Sequence, residues 1–132
     1  MYSLGVSDHV MIAHSFADPF FGPAQRLHGA TYAVEIELRT EVLNAHQVVM
    51  DIGALRTVLR HALQSLDYRN LDDHPGFLGR LSTTEAVARY VADQVAAQLK
   101  DLPPDGAPLS PGLLRALLRE SPVAWAAYER PL

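Results

Sequence analysis

The segment QRLHGATYAVEIEL, residues 25–38, carries the residues of this chain most suited to metal chemistry, and it is one imidazole short. His28, a glycine and then an alternating run read as a metal-binding loop at the mouth of a strand. A second imidazole two residues on would complete a His-Gly-His clamp, but that position is Ala30. One further imidazole, His14, closes the apolar run MIAHSF near the N-terminus. Catalytic zinc takes three protein donors and keeps a fourth position open. Two neutral imidazoles therefore form an incomplete set, with affinity expected to be lower by orders of magnitude. His9 lies five residues before His14, and on a strand an odd offset turns side chains to opposite faces. His46 and His74 fall at the ends of elements, from where they would reach such a site out of a neighbouring subunit. The chain has no cysteine, which removes disulfides, thiolate ligands and a Cys nucleophile together.

The elements that must position these residues follow from periodicity. SDHVMIAHSF reads as a first strand, and DPFFGPAQRLHG, with Pro19, Gly22, Pro23 and Gly29, as a loop. TYAVEIELRT alternates, with Tyr32, Val34, Ile36 and Leu38 on one face and Glu35, Glu37 and Arg39 on the other, which predicts a strand with one buried side. NAHQ is a turn. Asp51 can cap a helix whose apolar stripe is Leu55, Val58, Leu59, Ala62, Leu63 and Leu66. DYRNLDDHPGFLG interrupts it. STTE, from Ser82 to Glu85, fits a capping box before a second amphipathic helix carrying Val87, Tyr90, Val91, Val95 and Leu99. After a Pro/Gly linker, LLRALLRE and VAWAAYE are compatible with helix by propensity, but their short length and the intervening Pro122 read them as a closing strand pair. The order ββααββ predicts one α+β domain over residues 1–132, a four-stranded antiparallel sheet with two helices on one face. Its remaining face and its edges need covering, which an oligomer joining sheets edge to edge would provide.

The totals agree with one globular unit. The 132 residues are 48% hydrophobic and 20% charged, with net charge −4 and a pI near 5.8. The single lysine, Lys100, and the lack of a basic cluster argue against nucleic acid. No apolar run approaches the ~18 residues of a membrane span, and no basic start precedes an apolar run as in a signal peptide, so a cytoplasmic protein is expected.

The landmarks IAHSF, RLHGATY, VVMDIGALR, LDYRNLDD, STTEAVARYVAD and LRESPVAWAAY occur in this order. Together they resemble the 6-pyruvoyl-tetrahydropterin and 6-carboxytetrahydropterin synthases. The resemblance runs from about His14 to the C-terminus. It implies the T-fold, assembly as a homohexamer of two trimers, and active sites between subunits. It also implies a zinc held by three histidines, of which His14 and His28 match two and Ala30 replaces the third. The family's cysteine falls at Ala24, or at Gly22 if the loop length differs. Its Leu-Asp-His motif becomes Leu66-Asp67-Tyr68. A phenol ionises near ~10 and an imidazole near ~6.5, so that exchange removes a base effective at neutral pH. Asp67 and Tyr68 remain the candidate acid–base residues.

The recognition half is kept. Glu120 in LRESP matches the glutamate that anchors the pterin, where a carboxylate offers two acceptors to the N3–H and amino edge of the ring. Thr83, Thr84 and Glu85 match a second cluster lining the pterin pocket, with helix capping the alternative role for that segment. His14 and His28 then line the pocket, and Phe20 and Phe21 flank it or make a subunit contact. The implied protein binds a pterin-like or purine-like small molecule without metal or cofactor and does not catalyse the 6-pyruvoyl-tetrahydropterin synthase reaction. The alternative is an active zinc-dependent lyase of this kind with a substituted third ligand.

Overall fold

In the computed structural model, which describes residues 1–132, the two alternating segments form long strands, β1 (Tyr2–His14) and β2 (His28–Thr40). They pair antiparallel over their whole lengths, from Tyr2 opposite Thr40 to His14 opposite His28. Both are longer than periodicity suggested. β1 starts well before Ser7, and β2 takes in His28, Gly29 and Ala30, so the expected metal loop is strand from His28 onward. The period of two places Val6, Val10, Ile12 and His14 on the same face as Tyr32, Val34, Ile36 and Leu38, and all eight are buried.

The segment between the strands holds 3-10 turns over Pro19–Gln25, capped by Asp18, whose carboxylate accepts from Phe20 N at 2.9 Å. These turns kink at Gly22, where φ is +53°, a backbone that favours glycine. Helix α1 (Ile52–Gln64) begins at Asp51, whose side chain accepts from Ala54 N at 2.7 Å. It buries Leu55, Val58, Leu59, Ala62 and Leu63, with Leu66 buried just beyond its end. Helix α2 (Thr84–Lys100) buries Val87, Ala88, Val91, Ala92, Val95, Ala96 and Leu99. The closing pair is β4 (Gly112–Ser121) and β5 (Ala124–Pro131), with β4 lying along β2. Helix α1 packs on β1, helix α2 on β4 and β5, and the helices touch each other over one continuous core.

The sheet differs in detail from the four-stranded antiparallel one expected. It has five strands in the order β3-β1-β2-β4-β5 and is mixed, because β3 (Arg69–Asn70) runs parallel to β1 at Ile12 and Ala13. Besides the two α-helices there is a second 3-10 turn at Leu71–Asp73. The cause is local. The chain leaving α1 is held against the β1 edge by Tyr68 N donating to Met11 O at 2.7 Å and Met11 N donating to the Asp67 carboxylate at 3.0 Å. Two residues of strand are too short for any hydrophobic period to register.

On the sheet face away from the helices, Arg115 stands 3.8 Å from Glu37 and 3.9 Å from Glu129, with its guanidinium over the Trp125 ring. No helix is long and apolar enough to cross a membrane.

Candidate functional site

His14 ends β1 directly opposite His28, which begins β2, and antiparallel pairing therefore brings the two imidazoles together. Their rings meet edge to face with centroids 4.5 Å apart. His14 is only 2% exposed, and its Nδ1 lies 3.1 Å from the hydroxyl of Ser82, itself buried. His28 Nδ1 lies 2.8 Å from the Arg26 carbonyl oxygen. A carbonyl only accepts, so Nδ1 is a donor in this contact. Phe16 packs against His14 at 4.6 Å, and Phe21 packs on Phe16 at the same separation. Phe20 touches Phe21 but is 86% exposed.

Ser82 marks a correction to the capping box. Thr83, not Ser82, is the N-cap of α2, its hydroxyl accepting from Ala86 N at 3.2 Å. The frame shifts by one residue, Glu85 falls in the first turn without the box geometry, and Ser82 is released to hold His14. Of the three successive hydroxyl residues, Ser82 is engaged by His14 and Thr84 by Glu120, which leaves Thr83 to cap.

Next to the histidines, the Thr84 hydroxyl donates to a carboxylate oxygen of Glu120. Glu120 sits at a β-bulge, where Arg119 still faces Trp125 but Ser121 faces Ala124. A bulge leaves one residue outside the ladder and re-aims its side chain. Tyr32 is buried nearby; burial pushes its phenol up in pKa, the Thr84 hydroxyl opposes this, and the charges of Glu120 and Glu85 add to it. Asp72 was not foreseen. Its carboxylate accepts from Ser15 N at 3.0 Å and from the Ser15 hydroxyl at 2.6 Å, tying the end of β1 to the second 3-10 turn.

Burial holds His14 below the ordinary imidazole pKa, with His28 adding to the effect, against the opposing influence of Ser82, Asp72 and Glu120. The ring is neutral at pH 7. The unfolded chain takes up its proton near ~6.5, while the folded chain resists until lower pH. The stability this gives is complete above the unfolded value and is lost as pH falls through the interval below it. His74, lowered by burial and then by Arg69, has the same sign. Thermal melts from pH 8 to pH 5 should therefore show falling stability below about pH 6.5. His14→Asn should flatten the fall in part, and an unchanged slope in that variant would refute the assignment.

The other candidates lie elsewhere. Both Asp67 oxygens are engaged, one by Met11 N and one by Arg60 at 3.3 Å, and Arg60 also reaches Asp8 at 3.1 Å. Tyr68 is 80% exposed, with φ of +59°. Thr83 and Glu85 line a separate cleft with Arg80, Arg89, Tyr90 and Tyr128. His9 points into solvent beside Asp8. His46 is in an exposed turn. Both ring nitrogens of His74 are engaged, by Gly76 N and by Ser65.

Ala30 faces the same side of β2 as His28 and Tyr32, so the place of a third donor holds a methyl group. No group of three or more His, Cys, Asp or Glu side chains is arranged to hold a metal ion. Two imidazoles are the whole local donor set, and they do not fit a three-ligand zinc centre. His14, His28 and Glu120 line none of the five main clefts of a single chain.

A family model described as 6-pyruvoyl tetrahydropterin synthase matches residues 3–131. The chain is 27% identical over 131 residues to a 6-carboxy-5,6,7,8-tetrahydropterin synthase of Bacillus subtilis, covering 96% of this chain and 84% of that protein. It is 39% identical over 70 residues to the 6-pyruvoyl tetrahydrobiopterin synthase of Homo sapiens, covering 52% of this chain and 48% of the human one. The solved 6-pyruvoyl tetrahydropterin synthase of Caenorhabditis elegans superposes with a TM-score of 0.78 at 23% identity, covering 98% of this chain and 95% of that one. The Plasmodium vivax enzyme gives 0.75 at 19% identity, covering 99% and 98%. At these identities the structural likenesses speak for the fold.

Proposed function

The chain belongs to the 6-pyruvoyl tetrahydropterin synthase family, and from that premise we propose that it binds a pterin, or a heterocycle with the same two-donor edge, without the family's zinc-dependent reaction. The observation that carries this reading is Glu120, set outside the ladder by the bulge and held through one oxygen by Thr84. A carboxylate so held presents its other oxygen, and the free lone pairs of the first, to paired N–H donors.

The reading separates recognition from chemistry. Polarising a substrate side-chain oxygen needs a cation, and the donor set is His14 and His28 with Ala30 in the third place. Moving protons along that side chain needs a base. Asp67 is spent on Met11 and Arg60, Tyr68 stands in place of an imidazole, and position 24 or 22 offers only Ala24 or Gly22. Any reaction of this protein is then metal-independent, with His14 and His28 the better-placed acid–base candidates. His14, His28, Thr84 and Glu120 form the recognition group, and Thr83 and Glu85 support it from the start of α2.

Since the group lines no main cleft of one chain, a second subunit is taken to supply the missing wall, in a homohexamer of two trimers. A zinc-dependent lyase would need a third donor from that neighbour. His74 is a poor candidate because both its nitrogens are occupied, which leaves His46.

Titration with a panel of pterins and purines tests the proposal. Saturable binding of a ring bearing the N3–H and 2-amino edge, and none of rings lacking it, is expected. Binding that ignores this edge, or turnover of dihydroneopterin triphosphate to the 6-pyruvoyl product, would overturn it.

A further inference from the structure

At the end of the sheet away from His14 and His28, Arg130 of β5 pairs opposite Leu114 of β4. Leu114 is buried in the core, so Arg130 also points to the helix-covered face. There its Nη1 donates to the Asp93 carboxylate of α2 at 2.6 Å. Its Nε is shut off from solvent and has no hydrogen-bond partner, the one buried side-chain polar atom so placed. An N–H of a charged group left unmet is costly, and a folded chain that keeps one calls for a reason.

A guanidinium has two forks. Nη1 and Nη2 form the end, and Nε and Nη2 form the side. Asp93 takes Nη1 alone, so the side fork is left whole. Two parallel N–H donors in one plane match the two oxygens of a carboxylate. Arg130 lines a cleft of about 530 Å³ between the end of α2, the linker that follows and the end of β5, a size usual for small-molecule sites. Lys100, the only lysine, lines it too, and no Asp or Glu does. Lys100 and Arg130 against Asp93 leave a surplus of one positive charge at the cleft.

Most of the remaining wall is hydrocarbon, from Leu99, Leu102, Pro104, Pro108 and Pro131. Proline has no N–H, so these walls offer little to the carbonyls of a peptide. An alkyl chain needs only apolar surface. Along β4 the cleft lies six residues from Glu120, counted from Leu114, or about 20 Å at the rise of a strand. It is therefore separate from the pterin group. Edge-to-edge pairing of β5 with a neighbouring sheet would use its backbone, in the plane of the sheet, and leave the helix-facing side of Arg130 to the cleft.

We propose that this cleft binds a medium-chain alkyl carboxylate, its head on the Nε–Nη2 edge of Arg130 beside Lys100 and its tail along the leucines and prolines. The carboxylate meets Nη2 first and gains Nε–H by displacing the side chains that shield it. One negative charge matches the surplus. A phosphate monoester, carrying about −1.5 to −2 at pH 7, exceeds it, and the C-terminal end of α2 opposes a second charge.

Octanoate, acetate, 1-octanol, octyl phosphate and N-acetyl-leucyl-leucine titrated into the full chain, followed by NMR, test the proposal. Octanoate should bind saturably and more tightly than the others, which lack in turn the tail, the charge, the single charge and the plain hydrocarbon. At saturation the Arg130 Nε–H resonance should move downfield, the mark of a new acceptor. Arg130→Lys keeps the charge but has no fork, and should weaken octanoate about tenfold. Lys100→Gln, at an exposed position, should weaken it by a smaller factor without disturbing the fold. Ala107→Phe, which fills the cleft from the linker, should abolish binding. No saturable octanoate binding, any of the other probes binding as tightly, an unmoved Nε–H resonance, or full affinity in Arg130→Lys or Lys100→Gln would each overturn it.

Discussion

Glu120→Ala is expected to lower affinity for a pterin by two orders of magnitude or more while leaving the fold intact. Two charge-assisted bonds contribute about 1.5–3 kcal/mol each, so losing both corresponds to a hundredfold at the least. Glu120→Gln should fall between, because the amide keeps one acceptor and turns a donor toward a donor edge. The residue is exposed and lies at a bulge near the hairpin tip, so its removal should change thermal stability little. Thr84→Val should weaken binding by a smaller factor, since it frees the carboxylate without removing it. Calorimetric titration of the three variants reads these differences. An affinity unchanged in Glu120→Ala would remove the recognition argument altogether.

The second large effect is a gain. Ala30→His is expected to tighten zinc binding by roughly two orders of magnitude or more, because it completes a three-imidazole set on one face. The register supports this. Ala30 lies opposite Ile12 and His28 opposite His14, so residues 14, 28 and 30 share one corner of the helix-covered face. Ala30 is half-buried against the core, and Ala30→Asn, which adds bulk without an imidazole, controls for packing cost. Protein purified without chelator should carry far less than one zinc per chain in the natural sequence and approach one in Ala30→His. Stoichiometric zinc already in the natural chain, held by a third protein donor, would refute the reading of a lost metal centre.

Much of this was legible in the residues. The alternation Tyr32, Val34, Ile36, Leu38 and the stripes of α1 and α2 announce their elements because burial on one face imposes the period. The family resemblance brings the two histidines together, and the register then sets them at facing strand ends. What escaped were features set by single contacts. β3 exists because Tyr68 N and Asp67 grip Met11, and two residues carry no period. The capping frame in STTE follows from distant partners, His14 on Ser82, 68 residues away in sequence, and Glu120 on Thr84. The Asp72–Ser15 clasp and the Arg130–Asp93 pair likewise join residues that no spacing rule connects. The bulge at Glu120 depends on how β4 and β5 register, which the residues of β4 alone do not state.

That bulge bears on how the protein can change over generations. Because the bulge aims the carboxylate and Thr84 on α2 holds it, the hairpin tip beyond plays no part in setting its bearing. Val123, 91% exposed at that tip, and the residues beside it are free to drift between lineages. A single-residue deletion at the bulge would instead restore the regular ladder and abolish the grip in one mutational step, so this short stretch should vary in composition but not in length.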